Sequence, residues 1–182
     1  MLVFSRRAAL ALPLLAASAA WATEDADNTV ILTTKHGKVV IRLHPDWAPK
    51  HVAQIKTLVK RGFYDGIVFH RVIPGFMAQT GDPTGTGSGG SDLPNLPAEF
   101  NSTHFTRGIL GMARSRDPDS ANSQFFICFA DAGFLDGQYT AFGEVVSGMD
   151  VVDKIKAGTA ADNGQVTNPD KIITMRMAGS SK

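Results

Sequence analysis

The sequence predicts a mainly β fold: a closed eight-stranded antiparallel barrel with an α-helix capping each end. Three observations carry this expectation. Roughly eight short β-prone runs follow one another with turn residues between them. Only two segments repeat apolar residues at helical spacing, and they lie far apart in the chain. No strand–helix–strand rhythm marks a parallel sheet.

The first hairpin is Asn28–Thr34 and Lys38–Leu43, turned at Lys35-His36-Gly37. His36 and His44 sit at turn or strand ends and read as exposed, inert histidines. A helix follows, with Asp46 as its expected cap and Pro49 in the first turn, where a missing N–H does no harm. Val52, Ile55, Leu58 and Val59 form its apolar face, His51 is expected among the solvated positions, and Gly62 ends it. A strand pair bent at Pro74-Gly75 comes next, then a glycine- and proline-rich loop over 83–98, of a length that is usually functional or mobile. Further β-prone runs are Gly108–Ala113, Gln124–Phe129 and Thr140–Val146. The second helix is expected from Met149 to Ile155, ending near Gly158, and Lys171–Met177 alternates as the closing strand.

The 182 residues suggest one folded domain, expected over 28–178. Arg6-Arg7, an apolar run from Ala8 to Ala17 and Ala20-Trp21-Ala22 read as an export signal over 1–22, cleaved after Ala22. Its apolar run is too short for a stable membrane span, and Ser5-Arg6-Arg7 leaves general secretion and twin-arginine export both open. Removing the two leader arginines leaves 16 basic against 17 acidic side chains. With no basic cluster, neither a nucleic-acid nor an anionic-membrane partner is expected.

Sequence chemistry excludes several classes. Cys128 is the single cysteine, set among apolar neighbours, and reads as a buried small hydrophobe. No histidine and carboxylate pattern suggests a metal. Gly85-Thr86-Gly87-Ser88-Gly89-Gly90 matches G-x-G-x-x-G by letter, but Pro94 and Pro97 prevent the helix that a dinucleotide site requires. The unusual stretch is Phe69–Asp82. Bent at Pro74-Gly75, it gathers Arg71, Phe76, Met77 and Gln79: an apolar floor, an amide and a permanent charge. That set suits a neutral, mostly apolar ligand with an amide to be held.

Phe69-His70-Arg71-Val72-Ile73-Pro74-Gly75-Phe76-Met77 with Gln79 and Gly81-Asp82, then Gly108-Ile109-Leu110 with Met112-Ala113, then Ser123-Gln124-Phe125-Phe126-Ile127, Leu135-Asp136-Gly137 and Phe142-Gly143, together resemble a cyclophilin. The resemblance runs from about Val30 to about Met177 and extends to exported, periplasmic bacterial members. It implies cis–trans isomerisation of X–Pro bonds in proline-containing polypeptides during folding, without a cofactor, by a chain expected to be a monomer. It also implies Arg71 as the catalytic arginine, Phe76, Met77, Phe126 and Leu135 as the proline pocket, and Gln79 on the substrate backbone. Ala113 and Gln124 would line the neighbouring groove, with Gly85 and Thr86 at its border.

The far wall departs from the familiar pattern. Phe134 stands where many eukaryotic cyclophilins have tryptophan, Tyr139 where they have histidine, and Arg114 where asparagine is frequent. Phe134 lacks the indole N–H, so weak cyclosporin binding is expected. A proline-peptide binder without turnover remains the rival reading.

Overall fold

The computed structural model describes residues 26–179, so the expected export signal over 1–22 lies outside the described residues. Eight strands form one antiparallel sheet: β1 (Thr29–Thr34), β2 (Gly37–Leu43), β3 (Arg71–Ile73), β4 (Met77–Thr80), β5 (Ile109–Met112), β6 (Phe125–Cys128), β7 (Ala141–Ser147) and β8 (Thr174–Met177). Their spatial order is β3-β4-β6-β5-β7-β2-β1-β8. Helix α1 spans Pro49–Lys60, and the short α2 spans Met149–Val152, ending sooner than the sequence pattern suggests.

The expectation of closure is corrected. The sheet is open and curled, with β3 and β8 as its two ends and no ladder between them. The lead-in to β3 and its first residue meet the 165–171 segment across the seam instead, through isolated bridges at Val68↔Lys171 and Arg71↔Gln165. Phe69 N–H donates to the Asp170 carbonyl and Val72 N–H to the Gly164 carbonyl, at 2.8 and 2.7 Å. Turns at Gly66, Gly164 and Asn168, all with positive φ, interrupt these segments, so they meet point by point.

Alternation explains the core. Along β1 and β2, Val30, Leu32, Val39, Ile41 and Leu43 point inward while their neighbours face out. Val52, Ile55, Leu58 and Val59 of α1 pack on the same interior, which Tyr64, Phe69, Phe125 and Phe142 fill. β5 and β6 are buried on both faces. Phe125 and Ile127 turn into this interior, whereas Phe126 and Cys128 turn the other way, into a second apolar cluster with Met77, Phe105 and Leu135. A cleft lies over that second cluster, with Met77, Phe126 and Leu135 common to both.

Asp46 does not cap α1. The helix starts after Ala48 with no cap from its own segment, and the Glu99 carboxylate accepts the Lys50 and His51 N–H groups, each at 3.1 Å. His51 is correspondingly not solvated: it is fully buried, with Nδ1 2.6 Å from Glu99 Oε2. Burial lowers the His51 pKa, against the opposing pull of Glu99. His36 and His44 are also engaged, the first with Asp170 at 2.8 Å, the second stacked on Trp47 and 3.1 Å from Glu144.

Candidate active site

The β3–β4 hairpin sets the site. Gly75, at φ +73°, takes the left-handed turn that lets the two strands fold back. The register then places Arg71 opposite Gln79 and Ile73 opposite Met77. Arg71 Nη1 donates to Gln79 Oε1 at 3.2 Å. On its other side, Nε donates to the Asn163 carbonyl and Nη2 to Asn163 Oδ1, both at 3.0 Å. The planar guanidinium is thus held on the cleft wall by two neutral residues, Gln79 and Asn163. Burial pulls its pKa below the ordinary arginine value, partly offset by Tyr139, and it stays cationic.

The polar line continues past Gln79. Its Nε2 donates to Gln124 Oε1 at 3.0 Å, and Gln124 Nε2 donates to the Gly87 and Gly89 carbonyls at 3.0 and 2.8 Å. Those carbonyls belong to a loop wrapped around Asp82, whose side chain sequence reasoning left without a role. Asp82 is 1% exposed and accepts N–H groups from Thr84, Thr86, Gly87 and Gly89, at 2.7, 3.1, 2.6 and 3.1 Å. Burial raises the Asp82 carboxyl, but these bonds and the Thr84 hydroxyl outweigh it and hold the pKa at about 2. The N–H groups that a phosphate would need are therefore occupied by the chain's own carboxylate. The glycine-rich run opens no helix.

The apolar floor comes from Phe76, Met77 and Phe126. Phe126 lies across from Gln79 on β4–β6 and from Gly111 on β5–β6. Gly111 leaves room for both rings there, because a Cβ would sit 2.7 Å from Phe105 Cε1 and 2.9 Å from Phe126 Cε2. Leu135 closes the floor from a 3-10 turn over Gly133–Leu135, and Phe134, 65% exposed, brings its ring to 5.2 Å from Phe76. Tyr139 stands edge-on to Phe126 at 5.9 Å, and the Arg114 guanidinium lies over the Tyr139 ring at 4.5 Å. His104 pins the turn, with one ring nitrogen on Asp136 and the other 3.0 Å from Asp131. The Asp136 and Asp131 bonds raise the His104 pKa.

Arg71, Gln79, the apolar floor and the far wall line a cleft of about 750 Å³. Twelve of the thirteen residues singled out from the sequence border it: Arg71, Phe76, Met77, Gln79, Gly85, Thr86, Ala113, Arg114, Phe126, Phe134, Leu135 and Tyr139. Gln124 instead lines an adjoining hollow of about 640 Å³, which shares Gln79, Gly87, Ala113 and Arg114 with the first. Sequence reasoning missed His70, Gly87, Gln138, Asp162, Asn163 and Gln165 on the cleft wall. For Asn163 a signal existed, since Asn163-Gly164 is a turn dipeptide and Asn163 has φ +52°. His70 is buried beside Asp82 and Arg71, and burial lowers its pKa, leaving a neutral ring at pH 7.

Comparison with known proteins agrees with this geometry. The family model described as cyclophilin type peptidyl-prolyl cis-trans isomerase/CLD matches residues 29–177. A probable peptidyl-prolyl cis-trans isomerase of Brucella suis biovar 1 (strain 1330) is 59% identical, covering 87% of this chain and 86% of that protein. A peptidyl-prolyl cis-trans isomerase of Schizosaccharomyces pombe is 43% identical, over 79% of this chain and 95% of that one. Among solved structures, a cyclophilin from Hirschia baltica superposes with a TM-score of 0.77 at 30% identity, covering 87% of this chain and 76% of its own. A cyclophilin-type isomerase of Cryptosporidium parvum, in the presence of the dipeptide Ala-Pro, gives 0.75 at 28% identity over 85% and 99%. With the family model spanning nearly every described residue and relatives matched along most of their own length, this chain belongs to the cyclophilin-type peptidyl-prolyl cis-trans isomerases.

Proposed function

We propose that the cleft accelerates X–Pro rotation in exported proteins as they fold, with Arg71 as the catalytic group. The uncatalysed barrier is about 18–20 kcal/mol, because the C–N bond loses its resonance as it twists. The twisted nitrogen becomes pyramidal and gains a lone pair. An Arg71 N–H donated to that lone pair has almost no counterpart in the planar ground state, and only such differential contacts speed the reaction. One charge-assisted bond contributes about 1.5–3 kcal/mol. A hundred-thousandfold acceleration needs about 7 kcal/mol. The remainder falls to positioning: Phe76, Met77, Phe126 and Leu135 hold the proline ring while Gln79 and the groove hold the chain beyond the rotating bond.

The observation that carries this reading is the fixed Arg71 fork, tied to Gln79 and Asn163 in a cleft whose apolar floor is Phe76, Met77, Phe126 and Leu135. The Ala-Pro dipeptide present with the Cryptosporidium parvum relative supports a proline-containing occupant. The leader-like first 22 residues support export to the periplasm, by a route left open, and the chain acts there as a monomer. N-terminal sequencing of the protein recovered from the periplasm, with its effect on the proline-limited refolding of an exported protein, tests both parts. An uncleaved cytoplasmic product with no effect on refolding would refute the exported role. Phe134 offers the far wall no indole N–H, so cyclosporin inhibits weakly; inhibition in the nanomolar range by the wild type would contradict that.

A further inference from the structure

Arg114 stands on the wall shared by the cleft and the adjoining hollow. The other residues lining that hollow are neutral: a run of glycine and serine from Gly87 to Ser91, two asparagines, and Ser115 and Ser120 among them. Arg114 Nε and Nη2 donate to the Gln138 carbonyl at 3.1 and 2.8 Å, and Nη1 donates to the Ser115 carbonyl at 3.0 Å. The Tyr139 ring beneath it completes the fixation. A guanidinium has five N–H donors, so one on each terminal nitrogen remains for a ligand.

No carboxylate neutralises this charge among the described residues. The two acids of its own loop are turned to backbone: Asp117 accepts the Asp119 N–H at 2.9 Å and Asp119 the Ala98 N–H at 2.8 Å. Asp162, another acid on the cleft wall, accepts the Thr159 hydroxyl at 2.8 Å. A half-buried, oriented cation with spare donors and no counter-ion favours a carboxylate ligand and repels an ammonium.

We propose that Arg114 makes this isomerase selective for acidic segments, in which an Asp or Glu side chain near the proline enters the adjoining hollow. The inference rests on the reading that an X–Pro segment occupies the cleft. Peptides with a single proline in a neutral Ser/Gly frame test it, carrying Asp, Asn or Lys in turn within about three positions of the proline, the reach of one extended groove. At one position, Asp should exceed Asn in kcat/KM by about tenfold, with Lys lower still. That ratio should collapse towards one in Arg114→Gln, and shrink in the wild type as salt is raised. Equal rates for Asp and Asn at every position, or a preference unchanged in Arg114→Gln, would overturn the proposal. Turnover of none of the peptides by the wild type would instead bring down the cleft reading, and this proposal with it.

Discussion

Arg71 and Gln79 face each other across the β3–β4 ladder, and the Arg71 Nη1 donates to the Gln79 side-chain oxygen at 3.2 Å. The amide therefore has two tasks, steadying the guanidinium and linking it to Gln124 and the glycine loop. Gln79→Ala should cost the hydrogen bond to a charged group, about 1.5–3 kcal/mol. If that is felt at the transition state, kcat/KM falls about 10- to 100-fold. Gln79 is only half-buried, so the melting temperature should barely change. A large drop in melting temperature, with the rate per folded molecule intact, would assign Gln79 to the fold instead.

Gly111 leaves room beneath the Phe126 ring, and a methyl group there meets both Phe126 and Phe105. Gly111→Ala is expected to push Phe126 towards the proline pocket. Overpacking of this kind costs about 1–3 kcal/mol. Peptide titration should show weaker binding together with a lowered melting temperature. Unaltered affinity would mean that the rings relax away from the pocket.

Asp82 ties the loop that supplies carbonyls to Gln124. Its folded pKa of about 2 lies below the ordinary value of 3.8, so its contribution is present above that value and disappears as pH falls towards 2. Asp82→Asn should therefore destabilise the protein at pH 7 by about 2 kcal/mol, the usual worth of a charge-assisted hydrogen bond. It should also flatten the acid limb of the stability curve between about pH 4 and pH 2. Denaturant midpoints across that range read both effects; parallel curves for mutant and wild type would remove Asp82 from the account.

The local parts of this structure were legible in the sequence. Alternation along Thr29–Thr34 and Gly37–Leu43 defined the first hairpin, and Pro74-Gly75 defined the turn that brings Arg71 to Gln79. What escaped depends on partners distant in the chain. His51 reads as a surface residue on the helix until Glu99, 48 positions away, comes to lie against it. Asn163 is 92 positions from the Arg71 it holds. The open seam was hidden for the same reason, since β8 pairs with β1 and only turn-broken segments meet β3. Arg71, Phe76, Met77 and Gln79 could be gathered from the bent stretch itself, whereas their roles and the other cleft residues came through resemblance.

If Arg71 acts on the twisted bond, as proposed, and not merely on the bound peptide, rate and affinity should separate in its variants. The decisive measurement is turnover of a short X–Pro peptide alongside its affinity, for wild type, Arg71→Lys and Arg71→Ala. Lysine retains the charge but lacks the planar fork that Gln79 and Asn163 hold. Both variants should lose about a hundredfold or more in kcat/KM, from the lost bond and its positioning, while affinity changes only a few-fold. A rate left intact in Arg71→Ala, or a loss of rate matched by an equal loss of affinity, would contradict the account.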